Sequence, residues 1–145
     1  MSKGANVPMS SRLPLVAAAG AYASATAVAS VVAARCDVPG EPFGVTVPWS
    51  VPTALLAGWG GGIAAPWPMP VVAVTAATFG RGRTAALTAG TIGAMCLAGH
   101  AIEPVTWGRR QPVRGAVATA MAASLAGAAA LAATGFVRYR SLRPR

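Results

Sequence analysis

Charge is what this sequence has least of. Of its 145 residues only 10% are Asp, Glu, Lys or Arg, where an ordinary soluble domain carries about 25%. With 54% hydrophobic residues, the chain is too short of polar surface to cover a soluble core. Acids are the scarcest group: Asp37, Glu41 and Glu103 are all there are. Two cysteines, Cys36 and Cys96, are too few for a disulfide framework, and their spacing matches no zinc motif. The single histidine, His100, makes no hydrolytic triad without a placed nucleophile and an orienting acid. Ser50 and Thr106 stand in no context that activates them. The glycine cluster "GWGGG" at 58–62 lacks the lysine and hydroxyl of a phosphate loop. No catalytic role is expected, and the sequence implies no cofactor and no metal motif.

The missing charge is concentrated in four runs, residues 13–34, 51–79, 85–102 and 115–137, which contain no Asp, Glu, Lys or Arg. A stretch of about 18 or more apolar residues is long enough for a membrane span. The expected architecture is therefore an all-α integral membrane protein, a compact bundle of four transmembrane helices in one domain. The first run extends for 22 residues, beyond the usual 7–15 of a signal peptide's apolar region, and it is read as retained. Arg35 precedes Cys36, where a lipoprotein signal needs a small residue.

The second run is irregular. As one helix its 29 residues would reach about 43 Å, against a hydrocarbon core of about 30 Å. Pro66, Pro68 and Pro70 each lack an amide proton and push the preceding residue from helical geometry. The segment "PWPMP" is thus expected to be extended or kinked, with the glycines at 58–62 loosening the turns before it. Two pictures fit: a tilted helix with a proline kink, or a discontinuous helix lining a cavity. In the fourth run, Thr119, Ala123 and Gly127 form a small-residue row suited to close helix contact.

The charges that remain punctuate the runs. The net charge of +9 does not indicate nucleic acid, because the basic residues form no continuous face interleaved with polar or aromatic partners. With both termini in the cytoplasm, Lys3, Arg12, Arg81, Arg83, Arg138, Arg140, Arg143 and Arg145 lie inside, and Arg35, Arg109, Arg110 and Arg114 outside. That split follows the positive-inside rule, although the outer arginines at 109–114 strain it. Residues 138–145 read as a basic tail that stops translocation and meets anionic lipid. Trp49 and Trp107 are expected as interfacial anchors. Eleven arginines to one lysine, with alanine dominating the runs, reads as the codon bias of a GC-rich genome. The expected location is a bacterial plasma membrane.

One constellation carries candidate chemistry. At about 100° per residue, Cys96, His100 and Glu103 fall within about 60° of each other on a helix. Ionisable groups in a membrane helix usually face the bundle interior or a cavity. They suit a proton or ligand site through His100 and Glu103, or a soft metal held by Cys96 and His100 with Met95 or Met69. In the plainer reading Glu103 pairs with Arg109 or Arg110 and satisfies His100, while Cys96 packs as a small apolar side chain.

The expected function is that of a small non-catalytic plasma-membrane protein, an accessory or transport-related component with a cavity at the outer ends of the second and third spans. That role requires the proline break to face His100 and Glu103. In architecture alone the chain also resembles a holin, small and multispanning with a basic tail, which would imply membrane permeabilisation. A third class is a small membrane redox or metal-binding protein. The expected partners are the lipid bilayer and a second copy or another membrane protein.

Overall fold

The computed structural model describes residues 12–109 and 112–142. Five α-helices appear among them: α1 (Leu13–Arg35), α2 (Val51–Leu56), α3 (Pro68–Phe79), α4 (Gly82–Ile102) and α5 (Gly115–Ser141), with short 3-10 turns at Pro42–Gly44 and Pro104–Trp107. No strand occurs among the described residues, only two isolated bridges, Pro39 with Gly61 and Gly61 with Ala64.

Among the described residues, α1, α4 and α5 are long and apolar enough to cross a membrane. None has a polar face wide enough to mark a water side, the pattern of a helix surrounded by apolar material. Within each span's most apolar window only 39% of residues are buried in the protein, so most of that apolar surface faces outward. Leu13, Val28, Val31, Val71, Phe79 and Val137 all project from the bundle. Such a surface is compatible with a small membrane protein resting in a lipid bilayer.

The second run departs from a single span. Its long helix, α3, has 12 residues, about 18 Å at 1.5 Å per residue, too short for a hydrocarbon core of about 30 Å. The run opens with α2, six residues capped by the Ser50 hydroxyl, which accepts from the Thr53 N–H at 3.4 Å. Residues 57–67 are irregular. The break therefore lies upstream of the expected one: Pro68 and Pro70 sit in the first turn of α3, and only Pro66 precedes it. The physical reason is positional, since the first amides of a helix have no acceptor within it and a missing proton there removes no bond.

Other boundaries shift modestly. The third run is helical from Gly82, and α5 continues to Ser141. Arg138 and Arg140 therefore lie on the last turns of a helix rather than in a tail after it; Arg143 and Arg145 are outside the described residues, as are Lys3 and Arg110. At 27 residues, α5 reaches about 40 Å, long enough to carry both arginines beyond an apolar core.

Four helices pack in a ring, α1 against α3, α3 against α4, α4 against α5 and α5 against α1. Small side chains make the contacts. A methyl added at Gly93 would stand 2.5 Å from the Ala132 amide nitrogen and 2.6 Å from the Ala128 carbonyl oxygen. One at Gly135 would meet the Gly90 backbone. The expected row on α5 is split by the helix's rotation: Gly127 is buried against Tyr22 of α1, while Thr119 and Ala123 are exposed. Larger side chains fill the remaining interior, with Tyr22, Leu131 and Ile63 among those fully buried.

Successive helices alternate in direction. Arg12, Arg81, Arg83, Arg138 and Arg140 share one end of the bundle, where the Arg83 guanidinium lies 4.3 Å from the centre of the Tyr139 ring. Asp37, Glu41 and Glu103 occupy the loops at the other end together with Arg35, Arg109 and Arg114; it is called the acidic end because all three acids are there.

Backbone contact between α4 and α5 makes a specific prediction. Gly93→Ala and Gly135→Ala should each lower stability by about 1–3 kcal/mol, read as earlier loss of helicity on heating in detergent. Gly20→Ala, whose methyl meets nothing within 4 Å among the described residues, should be neutral or slightly stabilising, because alanine is the better helix former.

Candidate functional site

The irregular residues 57–67 do not hang free at the acidic end; they fold inward and pair their backbone within the protein. Gly61 and Ala64 exchange N–H to carbonyl bonds at 2.9 and 3.1 Å, and the Gly62 N–H donates to the Val38 carbonyl at 3.3 Å. Gly60 has φ +96°, and a methyl there would lie 2.8 Å from the Ala64 oxygen. Gly62 is held so closely that a methyl would meet the Pro39 oxygen at 2.6 Å and Val105 at 2.9 Å. The glycines thus build a tight plug rather than loosening a helix. Ile63 and Ala64 join Val38, Leu55, Val105 and Ala33 in a second apolar cluster beneath the acidic-end loops.

Between this plug and the C-terminal half of α4 lies a cavity of about 170 Å³. The plug side contributes Trp59, Pro66 and, at the start of α3, Met69. From α4 come Met95, Cys96, Gly99, His100 and, at its end, Glu103. The three residues that share one helical face in the sequence therefore line one cavity, and the broken segment forms its opposite wall.

Each of the three has a defined setting. Cys96 is buried, with its sulfur 2.8 Å from the Tyr22 hydroxyl and donating to the Met69 thioether at 3.4 Å. The thiol proton being committed to Met69, the Tyr22 O–H donates to Cys96. His100 is 6% exposed, and its Nδ1 lies 2.9 Å from the Cys96 carbonyl. A carbonyl only accepts, so Nδ1 carries a proton, and in the neutral ring Nε2 carries the lone pair. That Nε2 is buried without a hydrogen-bond partner among the described residues.

Glu103 is tied elsewhere than expected. One carboxylate oxygen accepts from the Glu41 N–H at 2.9 Å, so it neither satisfies His100 nor pairs with Arg109; Arg110 lies outside the described residues. It joins the loop after α1 to the end of α4. Trp59 reinforces that loop through its indole N–H, which donates to the Gly40 carbonyl at 3.3 Å. At the same end the Trp107 indole donates to the Ala101 carbonyl at 2.9 Å, closing one of the carbonyls a helix end leaves open.

Tyr22 and Trp59 were not legible as site residues. Neither stands near the Cys96 stripe in sequence, and the one signal on offer was that a tyrosine inside an apolar run must find a partner for its hydroxyl. Among the described residues, no group of three or more His, Cys, Asp or Glu side chains is placed to hold a metal. Any metal at this cavity would need thioether sulfur as well. Ser50 serves as a helix cap.

The acidic end carries a pH signature. Burial raises the Glu103 carboxyl above its ordinary 4.5, the Glu41 N–H opposes this, and the nearby Glu41 charge adds to it. The folded protein then holds that proton more tightly than the unfolded chain. Its contribution to stability is complete below the ordinary value and is lost as pH rises through the raised one. Glu103→Gln keeps a carbonyl oxygen for the Glu41 N–H and removes the titration. Across a melting series from about pH 4 to 7, the wild type should lose an increment of stability with rising pH that the variant does not lose.

Compared with family models, curated proteins and solved structures, the chain has no match in any of the three.

Proposed function

We propose that this chain is a non-catalytic, multispanning plasma-membrane protein, transport-related, that takes a small solute into the cavity between the broken second run and α4. In this reading α3 and residues 57–67 together complete a fourth crossing, and the basic end lies in the cytoplasm by the positive-inside rule. The cavity then opens on the outer side. Irregular backbone at membrane depth is tolerated where it is buried in protein or lines a cavity, and half-helices flanking such a cavity are a common arrangement in solute carriers.

The observation that carries the reading is the facing of the two parts: the glycine and proline segment forms one wall, and α4 forms the other with His100 in its lining, whose Nε2 is buried without a partner among the described residues. A buried acceptor without a partner is unfavourable by about 1–3 kcal/mol, which a visiting ligand would relieve. A holin-like permeabilising protein has no use for such a pocket.

Cysteine accessibility tests this directly. Gly99 lines the cavity, and a side chain there meets nothing within 4 Å among the described residues. In a Cys36→Ala, Cys96→Ala background, Gly99→Cys should react in intact cells with a membrane-impermeant, charged thiosulfonate reagent. Val71→Cys, exposed on the outside of α3, should stay unreactive in lipid. If Gly99→Cys is unreactive from both sides of the membrane, the solute cavity is overturned. Reaction only in inverted vesicles would overturn the orientation.

A further inference from the structure

We infer that the cavity binds a soft monovalent cation, Cu(I) or Ag(I), through the Cys96 sulfur, the Met69 thioether and His100 Nε2. The inference rests on the cavity being a solute site and names the class of solute. Met69 of α3 and Cys96 and His100 of α4 all line it. Cys96 and Met69 are already in sulfur to sulfur contact at 3.4 Å. His100 brings a nitrogen whose proton is fixed on the other side of the ring and which has no other partner among the described residues. One buried tyrosine hydroxyl stands behind Cys96, 2.8 Å from its sulfur.

Charge and softness both select the ion. Thiolate and thioether sulfur favour Cu(I) over hard cations, which require several oxygen ligands. Among the described residues only one carboxylate, Glu103, lines the cavity, at its outer rim. A single thiolate neutralises a single positive charge, so the M(I) complex is neutral where burial makes a net charge unfavourable. Zinc would leave a buried positive charge and would lack a fourth protein ligand. In a chain of net charge +9, no Lys or Arg lines this cavity among the described residues, which leaves it open to a cation.

The binding step balances without an oxidant or reductant. The Cys96 S–H bond breaks heterolytically, and the electron pair stays on sulfur and forms the bond to the metal. The proton leaves to bulk water past Glu103, and the ion remains M(I). The Tyr22 O–H continues to donate to the sulfur, a bond that strengthens once the acceptor is anionic.

The test is titration of the purified full-length Cys36→Ala protein in detergent, without oxygen. Cu(I) is offered against a chromogenic Cu(I) chelator, with Ag(I) in a parallel series. The expected result is one ion per chain, near-ultraviolet thiolate-to-metal absorption, and one proton released per ion at neutral pH. Met69→Leu keeps volume and apolarity, so it isolates the thioether; it and His100→Phe should each weaken binding by about tenfold or more, and Cys96→Ser further still. Circular dichroism establishes that each variant keeps its helices. No retained ion, unchanged affinity in folded Met69→Leu and His100→Phe, or displacement of Cu(I) by equimolar Zn(II) would each overturn the assignment. If the ion fails to bind while Gly99→Cys is accessible, the metal is excluded and the solute cavity stands.

Discussion

Every buried backbone N–H and carbonyl must find a partner, and here that requirement bears hardest on residues 57–67, which form no helix. A continuous helix would have met it locally. The glycines and prolines prevent one, and the chain instead bonds Gly61 to Ala64 and Gly62 to Val38 while seating Ile63 in the apolar cluster beneath the loops. The plug, the short α3 and the cavity are consequences of the same constraint. Because α3 starts late, Met69 arrives level with Cys96, and the space beyond it toward the acidic end is left to the plug.

The bundle around this plug is inverted relative to a soluble domain. Its small residues face inward, where Gly90, Gly93 and Gly135 bring α4 and α5 into backbone contact, and many of its branched and aromatic side chains face out. In lipid no hydrophobic force draws such helices together, so close packing and a few polar contacts hold them. Tyr22 supplies one of those contacts, crossing from α1 to Cys96 on α4. The same bond holds Cys96, which lines the cavity.

The candidate site was half legible. Helical spacing alone put Cys96, His100 and Glu103 on one face, because a 3.6-residue period is a local property. It could not supply their partners. Glu103 was free, by sequence, to pair with an arginine, yet the fold brings the Glu41 amide to it. His100 turns to the carbonyl of Cys96 one helical turn earlier instead of to a carboxylate. Met69, named only as an auxiliary sulfur donor, proves to be in contact with Cys96, and Tyr22 enters from a helix 74 residues away in sequence.

Composition by itself pointed to four apolar runs, of which three form long helices apolar on all sides, and it placed eight of the twelve basic residues at one end and all three acids, with the other four, at the opposite end. Those features depend on runs of residue type and on the parity of the chain's reversals. Only the tertiary structure decided which faces meet, because helices without an amphipathic stripe carry no mark of their inner side. It also decided where the second run breaks. A proline's effect depends on whether its missing proton had an acceptor; at Pro68 and Pro70, in the first turn of α3, it had none. Gly62 before them, clamped between Pro39 and Val105, could find its role only once those neighbours had been brought to it by the fold.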